Sequence, residues 1–116
     1  MKNKVFHIET EERKYPLIFN LNVMEEIQEQ YGSVDKWGQM TENPDGADIK
    51  VLKFGIKAMI NEAIDIENEK NSTNEPMLTE KQVGRILTEV GIKAVFDKIH
   101  EITIASTKNE DDGKNE

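Results

Sequence analysis

"NLNVMEEIQEQYGSVDKWGQM", residues 20–40, decides how the chain is read. An asparagine at position 20 or 22 can accept from the orphan amides of a first helical turn. Glu25 and Glu26 suit the positive end of the helix dipole. Met24, Ile27 and Tyr31 fall at i, i+3 and i+7 and form one apolar stripe. Gly32 supplies the left-handed position that ends such a helix. Ser33 then caps a second, short helix that carries Val34 and the lone tryptophan, Trp37.

Upstream, Val5, Phe6 and Ile8 suggest a first strand, and Tyr15, Leu17 and Phe19 one face of a second. Pro16 makes that second strand an edge or marks its start. The two form a loose hairpin. Downstream, "TENPDGAD", 41–48, is a turn: Pro44 fixes a backbone angle and Asp45-Gly46 favours a tight reversal. A third helix runs from about Asp48 to Asn68. Leu52, Ile56, Met59, Ile60 and Ala63 form its main face, and Val51, Phe54 and Ala58 an adjacent one. So wide an apolar arc implies a central helix packed on two sides.

"ENEKNSTNEP", 67–76, holds no apolar residue and is expected to be a flexible connection. Thr79 and Gln82 fit a capping box ahead of Val83, Ile86, Leu87 and Val90. Gly91 separates this fourth helix from a fifth, whose inner face is Ile92, Val95, Phe96, Ile99 and Ile102. The expected fold is mostly α (α+β): an N-terminal β-hairpin, then about five helices around one core. Residues 1–105 make a single domain, and the acidic stretch 106–116 makes a disordered C-terminal tail.

Composition removes several functions. The 116 residues carry a net charge of −8, which argues against nucleic acid or an anionic membrane as default partner. No run approaches the ~18 apolar residues of a membrane helix. "MKNKVFHIETEE" lacks the apolar core of a signal peptide. With no cysteine there is no disulfide or thiolate chemistry. The chain is therefore expected in the cytoplasm.

Chemistry-bearing motifs are absent. His100-Glu101 continues as Ile-Thr-Ile, so a zinc helix lacks its second histidine. "KNEDDGKNE" puts Lys108 where the first ligand of a calcium loop belongs. Gly32, Gly84 and Gly91 are isolated and build no phosphate cradle. Neither His7 nor His100 stands in a local signature with a serine or threonine nucleophile. The reading is of no catalytic, cofactor or metal site, and of no enzyme; a hydrolase would show itself as a concave pocket with convergent polar groups. Residues 78–99 resemble a helix-turn-helix, with Lys93 and Lys98 on its second helix. Across 80–101, however, four basic residues meet four acidic ones, which leaves no electrostatic footprint for phosphate.

Trp37 has two readings. It closes the core against the first or third helix, as tryptophan commonly does, or it anchors a partner. Both hold if one edge of the ring stays open. Met24 and Met40 could line an adaptable groove, because the thioether chain repacks easily. The candidate partner-binding set is Met24, Tyr31, Val34, Trp37 and Met40.

"YPLIFNLNVMEEIQEQYGSVDKW" (15–37), "DIKVLKFGIKAMINEAIDIENEK" (48–70) and "LTEKQVGRILTEVG" (78–91), followed by a final helix and acidic tail, resemble the tail assembly chaperones of long-tailed phages and prophages of Gram-positive bacteria. The likeness spans almost the whole chain and rests on apolar patterns, a strand-to-helix junction and the Tyr-Gly stop. It implies no enzyme and no cofactor. Family members coat the tape-measure protein, a long helical rod, keep it soluble until tail-tube protein polymerises around it, and are absent from the finished virion. Many exist in two lengths through a ribosomal frameshift; this chain would be the short form. A −8 subunit coating an apolar rod would lend it charge, and many weak contacts would give releasable avidity. Self-association into a ring or helical array is expected, with no nucleic acid and no membrane involved. The runner-up is a small phage or prophage DNA-binding regulator using 78–99.

Overall fold

The computed structural model describes residues 4–42 and 48–114, with side chains as far as Ala105. The expected turn around Pro44 falls outside the described residues, as do 115–116 of the expected disordered tail; the tail's backbone from 106 to 114 is described, as helix, without side chains.

The hairpin is present. Strands β1 (Val5–Glu9) and β2 (Lys14–Ile18) pair antiparallel, with Val5 opposite Ile18 and Glu9 opposite Lys14. Thr10 closes the turn: its amide donates to the Arg13 carbonyl at 2.9 Å and its hydroxyl accepts from the Arg13 amide at 3.2 Å. Pro16 faces His7 and is tolerated because a two-stranded sheet consists of edges. Phe6 and Ile8 point inward, while Val5, His7 and Glu9 point out. Strict alternation fails in β2, where Leu17, Ile18 and Phe19 are all buried. This end of the hairpin lies against the long third helix, and side chains on both faces find cover.

Helix α1 (Leu21–Tyr31) is capped by Asn20, whose side-chain oxygen accepts from the Val23 amide at 3.1 Å. With the cap at Asn20 rather than Asn22, Glu25 and Glu26 lie beyond the first turn, so the expected dipole contribution is not made. Val23 and Ile27 are the buried pair, and Met24 and Tyr31 flank them half-buried. The amide of Gly32 (φ 96°) donates to Gln28 at 2.8 Å, and Ser33 caps α2 (Val34–Met40) by accepting from the Lys36 amide.

Helix α3 (Ile49–Asn71) is the central element. Asp48 caps it, accepting from the Lys50 amide at 3.0 Å. Its buried residues are those expected, except that Phe54 is only half-buried, with Gly55 and Ile64 in addition. Strand β2 and helices α1 and α4 pack on it, and Trp37 of α2 reaches it. The helix runs three residues past Asn68 and stops at Ser72, which takes the left-handed conformation at φ 56°.

The connection that follows corrects the expectation of a flexible 67–76. Its first residues, through Asn71, belong to α3, and the remainder is held by two asparagines one heptad apart. Asn68 donates to the Glu75 carbonyl and accepts from the Glu75 amide, both at 2.9 Å. Asn61 does the same to Leu78, at 3.1 and 2.8 Å. Each asparagine side chain thus satisfies both polar groups of one backbone residue, as a neighbouring strand would. Arg13 adds an exposed ion pair to Glu75 at 3.0 Å.

Helix α4 (Glu80–Val90) begins with the expected Thr79–Gln82 capping box. Gly91 (φ 97°) ends it, and α5 (Ile92–Lys114) starts at the next residue. Val95, Phe96, Ile99 and Ile102 turn inward. One apolar cluster takes in residues of both strands and all five helices, so the hairpin and the bundle share a core.

Candidate partner-binding surface

Trp37 is fully buried. Its indole N–H donates to the Val51 carbonyl at 3.1 Å, on the first turn of α3. The ring lies over Gly55: a Cβ there would come within 2.8 Å of Cε2 and closer still to Cζ2. The core reading therefore holds, and the reading of Trp37 as an exposed anchor is corrected. An indole with no open edge has nothing to offer a partner. Its companions are less enclosed. Tyr31 packs edge-to-face on Phe54, with centroids 5.4 Å apart and planes at 89°. Met24, Tyr31 and Val34 are half-buried against the core, and Met40 is 39 % exposed at the end of α2. Burial, joined by the charges of Asp48 and Glu80, pushes the Tyr31 hydroxyl above its ordinary pKa.

A more open apolar feature lies on the other flank of α3, where no candidate was placed. Ile49, Lys53, Gly84, Leu87, Thr88, Gly91 and Ile92 line a groove of about 330 Å³ between α3, α4 and the start of α5. Gly84 makes the groove: it sits inside α4, and a Cβ there would stand 3.5 Å from the Lys53 side chain. Ile49 is half exposed at the mouth. A glycine inside a capped helix costs about 1 kcal/mol relative to alanine, so Gly84 was itself a readable sign of close approach or open space.

Two other concavities among the described residues are more polar. Between α2 and α5, Gly38, Thr41, Glu42, Phe96, Asp97, His100 and Thr103 line about 340 Å³. Both hydroxyls here are engaged: Thr41 donates to the Gly38 carbonyl and Thr103 to that of Ile99, each at 3.1 Å. Thr103 also reaches the His100 backbone carbonyl at 3.1 Å, but neither hydroxyl is paired with the His100 imidazole as a nucleophile would be with its base. A third hollow of about 300 Å³, between the hairpin turn and α4, includes Arg85, Glu89, Gln82 and Glu12. There Glu89 accepts from the Glu11 amide at 2.7 Å and ties the turn to the bundle.

At the helix-turn-helix-like segment, α4 and α5 meet across a single residue, Gly91, where such motifs use a turn of about three or four. Lys98, on the second helix, is paired with Glu101 at 3.3 Å. No helix is long and apolar enough to cross a membrane among the described residues. No protein-family model, no curated protein and no solved structure matches the chain.

Proposed function

We propose that the chain is a tail assembly chaperone of a long-tailed phage or prophage. In this reading it binds the tape-measure protein, keeps that rod from aggregating in the host cytoplasm, helps to recruit tail-tube subunits, and leaves before the virion is complete. It works without catalysis or cofactor, as a member of a ring or helical array of its own copies.

The observation that carries the reading is the open apolar groove of about 330 Å³ on a strongly charged surface, framed by helices whose other faces are locked in the core. A preformed slot between helices accepts apolar side chains from one face of a second helix. A rod with many such turns could engage many subunits, each weakly. In this reading the binding surface is the Ile49–Leu87–Ile92 flank and not the side of buried Trp37.

Co-expression with a phage tape-measure protein tests the reading. The rod is expected in the soluble fraction and in the pull-down only when this chain is present; a rod equally soluble without it rules the function out. A DNA-binding regulator draws less support, because Gly91 alone separates the two helices and Lys98 is held by Glu101. A gel shift across salt concentrations separates the two functions.

A further inference from the structure

One cation lines the apolar groove and others stand close to it in sequence, on a chain whose net charge is −8. Lys53 lines it directly. Lys50 stands three residues before Lys53, on the same stripe of α3. Lys81 precedes Gly84 by three residues on α4, and Lys93 follows the wall residue Ile92. Lys57, the next lysine along α3, acts on Glu26 of α1 instead. Among the described residues the ion pairs within 4 Å are Arg13–Glu75 and Lys98–Glu101, so Lys50, Lys53, Lys81 and Lys93 have no described carboxylate at that distance. Asp48 and Glu80 open the two flanking helices and keep their charge, but they act on the Tyr31 hydroxyl and do not line the groove.

Lys53 shows how the two characters combine. Its Cδ, Cε and Nζ lie 4.0, 3.5 and 3.5 Å from where a Gly84 Cβ would stand. The aliphatic stem and the ammonium therefore both border the groove, and the charge stands directly beside the apolar lining. An apolar lining with a cation beside it specifies a ligand that offers apolar side chains flanked by carboxylates. We propose that this groove takes the apolar face of an amphipathic helix of a partner protein whose flanking positions are acidic. This rests on the reading of the chain as a binder of an extended helical protein, and adds which face binds and what sequence it selects. A nucleic acid would find lysines here but nothing for its phosphates on the apolar floor. It would also approach against the overall negative charge.

Titration of the ¹⁵N-labelled full chain with designed peptides tests the proposal. Two helical peptides of about 20 residues, one helix spanning the groove with ease, share a leucine stripe and carry either glutamates or lysines beside it. The glutamate peptide is expected to shift the Gly84, Leu87 and Gly91 amides. The lysine peptide is expected to bind at least about tenfold more weakly, and the difference to shrink as salt rises. Lys53→Glu is expected to weaken the glutamate peptide about tenfold. Gly84→Leu, which fills the groove and favours the helix, is expected to abolish binding. Lys50→Glu, at an exposed position, gives the charge test independently of folding.

Equal binding of the two peptides overturns the proposal. So does binding undiminished in Gly84→Leu, the same amides shifting with a DNA duplex instead, or a groove filled by a second copy of the chain as concentration rises. A rod recovered equally by wild type, Lys53→Glu and Gly84→Leu defeats the groove and leaves the chaperone reading. A wild type that binds the glutamate peptide and not the rod does the reverse.

Discussion

Two glycines flank the central helix and do opposite things. Gly55, on α3 itself, faces Trp37 so closely that any side chain would enter the indole ring. Gly84, on α4, faces the side chain of Lys53 across ordinary van der Waals distance, with an open groove beside it. On the first flank a missing Cβ lets the largest side chain of the protein pack against backbone and bury itself completely. On the second it leaves space that nothing in the described chain fills. The lesson is that a glycine within a helix marks a close approach or a vacancy, and that the partner residue tells which. Trp37 is a rigid ring with its only polar atom satisfied. Lys53 is a flexible chain whose charged end must remain in water.

Breaking the closed flank gives the largest effect. Trp37→Ala removes a fully buried ring and its hydrogen bond to the Val51 carbonyl; a loss of about 3–5 kcal/mol is expected in denaturant unfolding. Gly55→Ala forces the same ring to move and is expected to cost about 1–3 kcal/mol. The two changes are not additive. In a Trp37→Ala background Gly55→Ala has space, and its cost should vanish or reverse as alanine gains helix propensity. An additive double mutant would mean that the ring and the glycine do not share one steric constraint.

Asn61→Ala comes next. It releases both polar groups of Leu78 and half of the staple that holds the 72–79 connection to α3. About 1–2 kcal/mol is expected, since Leu78 is partly buried and water replaces the asparagine only in part. Hydrogen exchange should localise the change: the Leu78 amide loses protection while the middle of α3 does not. On the open flank the sign inverts. Gly84→Ala meets Lys53 at ordinary contact distance and should stabilise by about 0.5–1 kcal/mol, read as a rise in Tm. A fall in Tm would show that the groove is tighter than its geometry.

Much of this architecture was legible in the chain. Caps and stops are local chemistry, so Ser33, Asp48, the Thr79–Gln82 box and the two positive-φ glycines could be read one turn at a time. The α3 arc predicted its central place, because its apolar residues exceed what one neighbour can cover. What escaped were the effects of distant partners. Asn61 and Asn68 look like ordinary polar positions until the following segment lies beside them. Ile18 looks outward until the end of the hairpin meets α3. Trp37 could be read as an anchor for the same reason. Tryptophan enrichment at interfaces and in cores gives the same sequence signal, and only the presence of Gly55 across from it decides. The groove left its trace in Gly84, which in the sequence reads only as an isolated glycine.

The smallest expected effect concerns charge next to the closed flank. Asn20 and Asn22 both donate to Glu62 Oε2, at 2.8 and 3.0 Å, which anchors the start of α1 to α3 as a charge-assisted pair. Glu26 lies close by on α1. Burial, and then the Glu62 carboxylate, raise its pKa above 4.5, while Lys57 pulls the other way. A carboxyl whose folded pKa is raised holds its proton more tightly in the folded state. At pH 7 its ionisation therefore detracts from stability, and the penalty is relieved as pH falls through the raised folded value towards 4.5. Glu26→Gln removes the charge at every pH. It should raise Tm slightly at pH 7, with the gain shrinking to nothing as both forms become neutral below pH 4.5. Because Glu26 is largely solvated, the shift should also shrink with added salt. A gain that persists unchanged in acid would assign it to helix propensity instead and remove Glu62 as its cause.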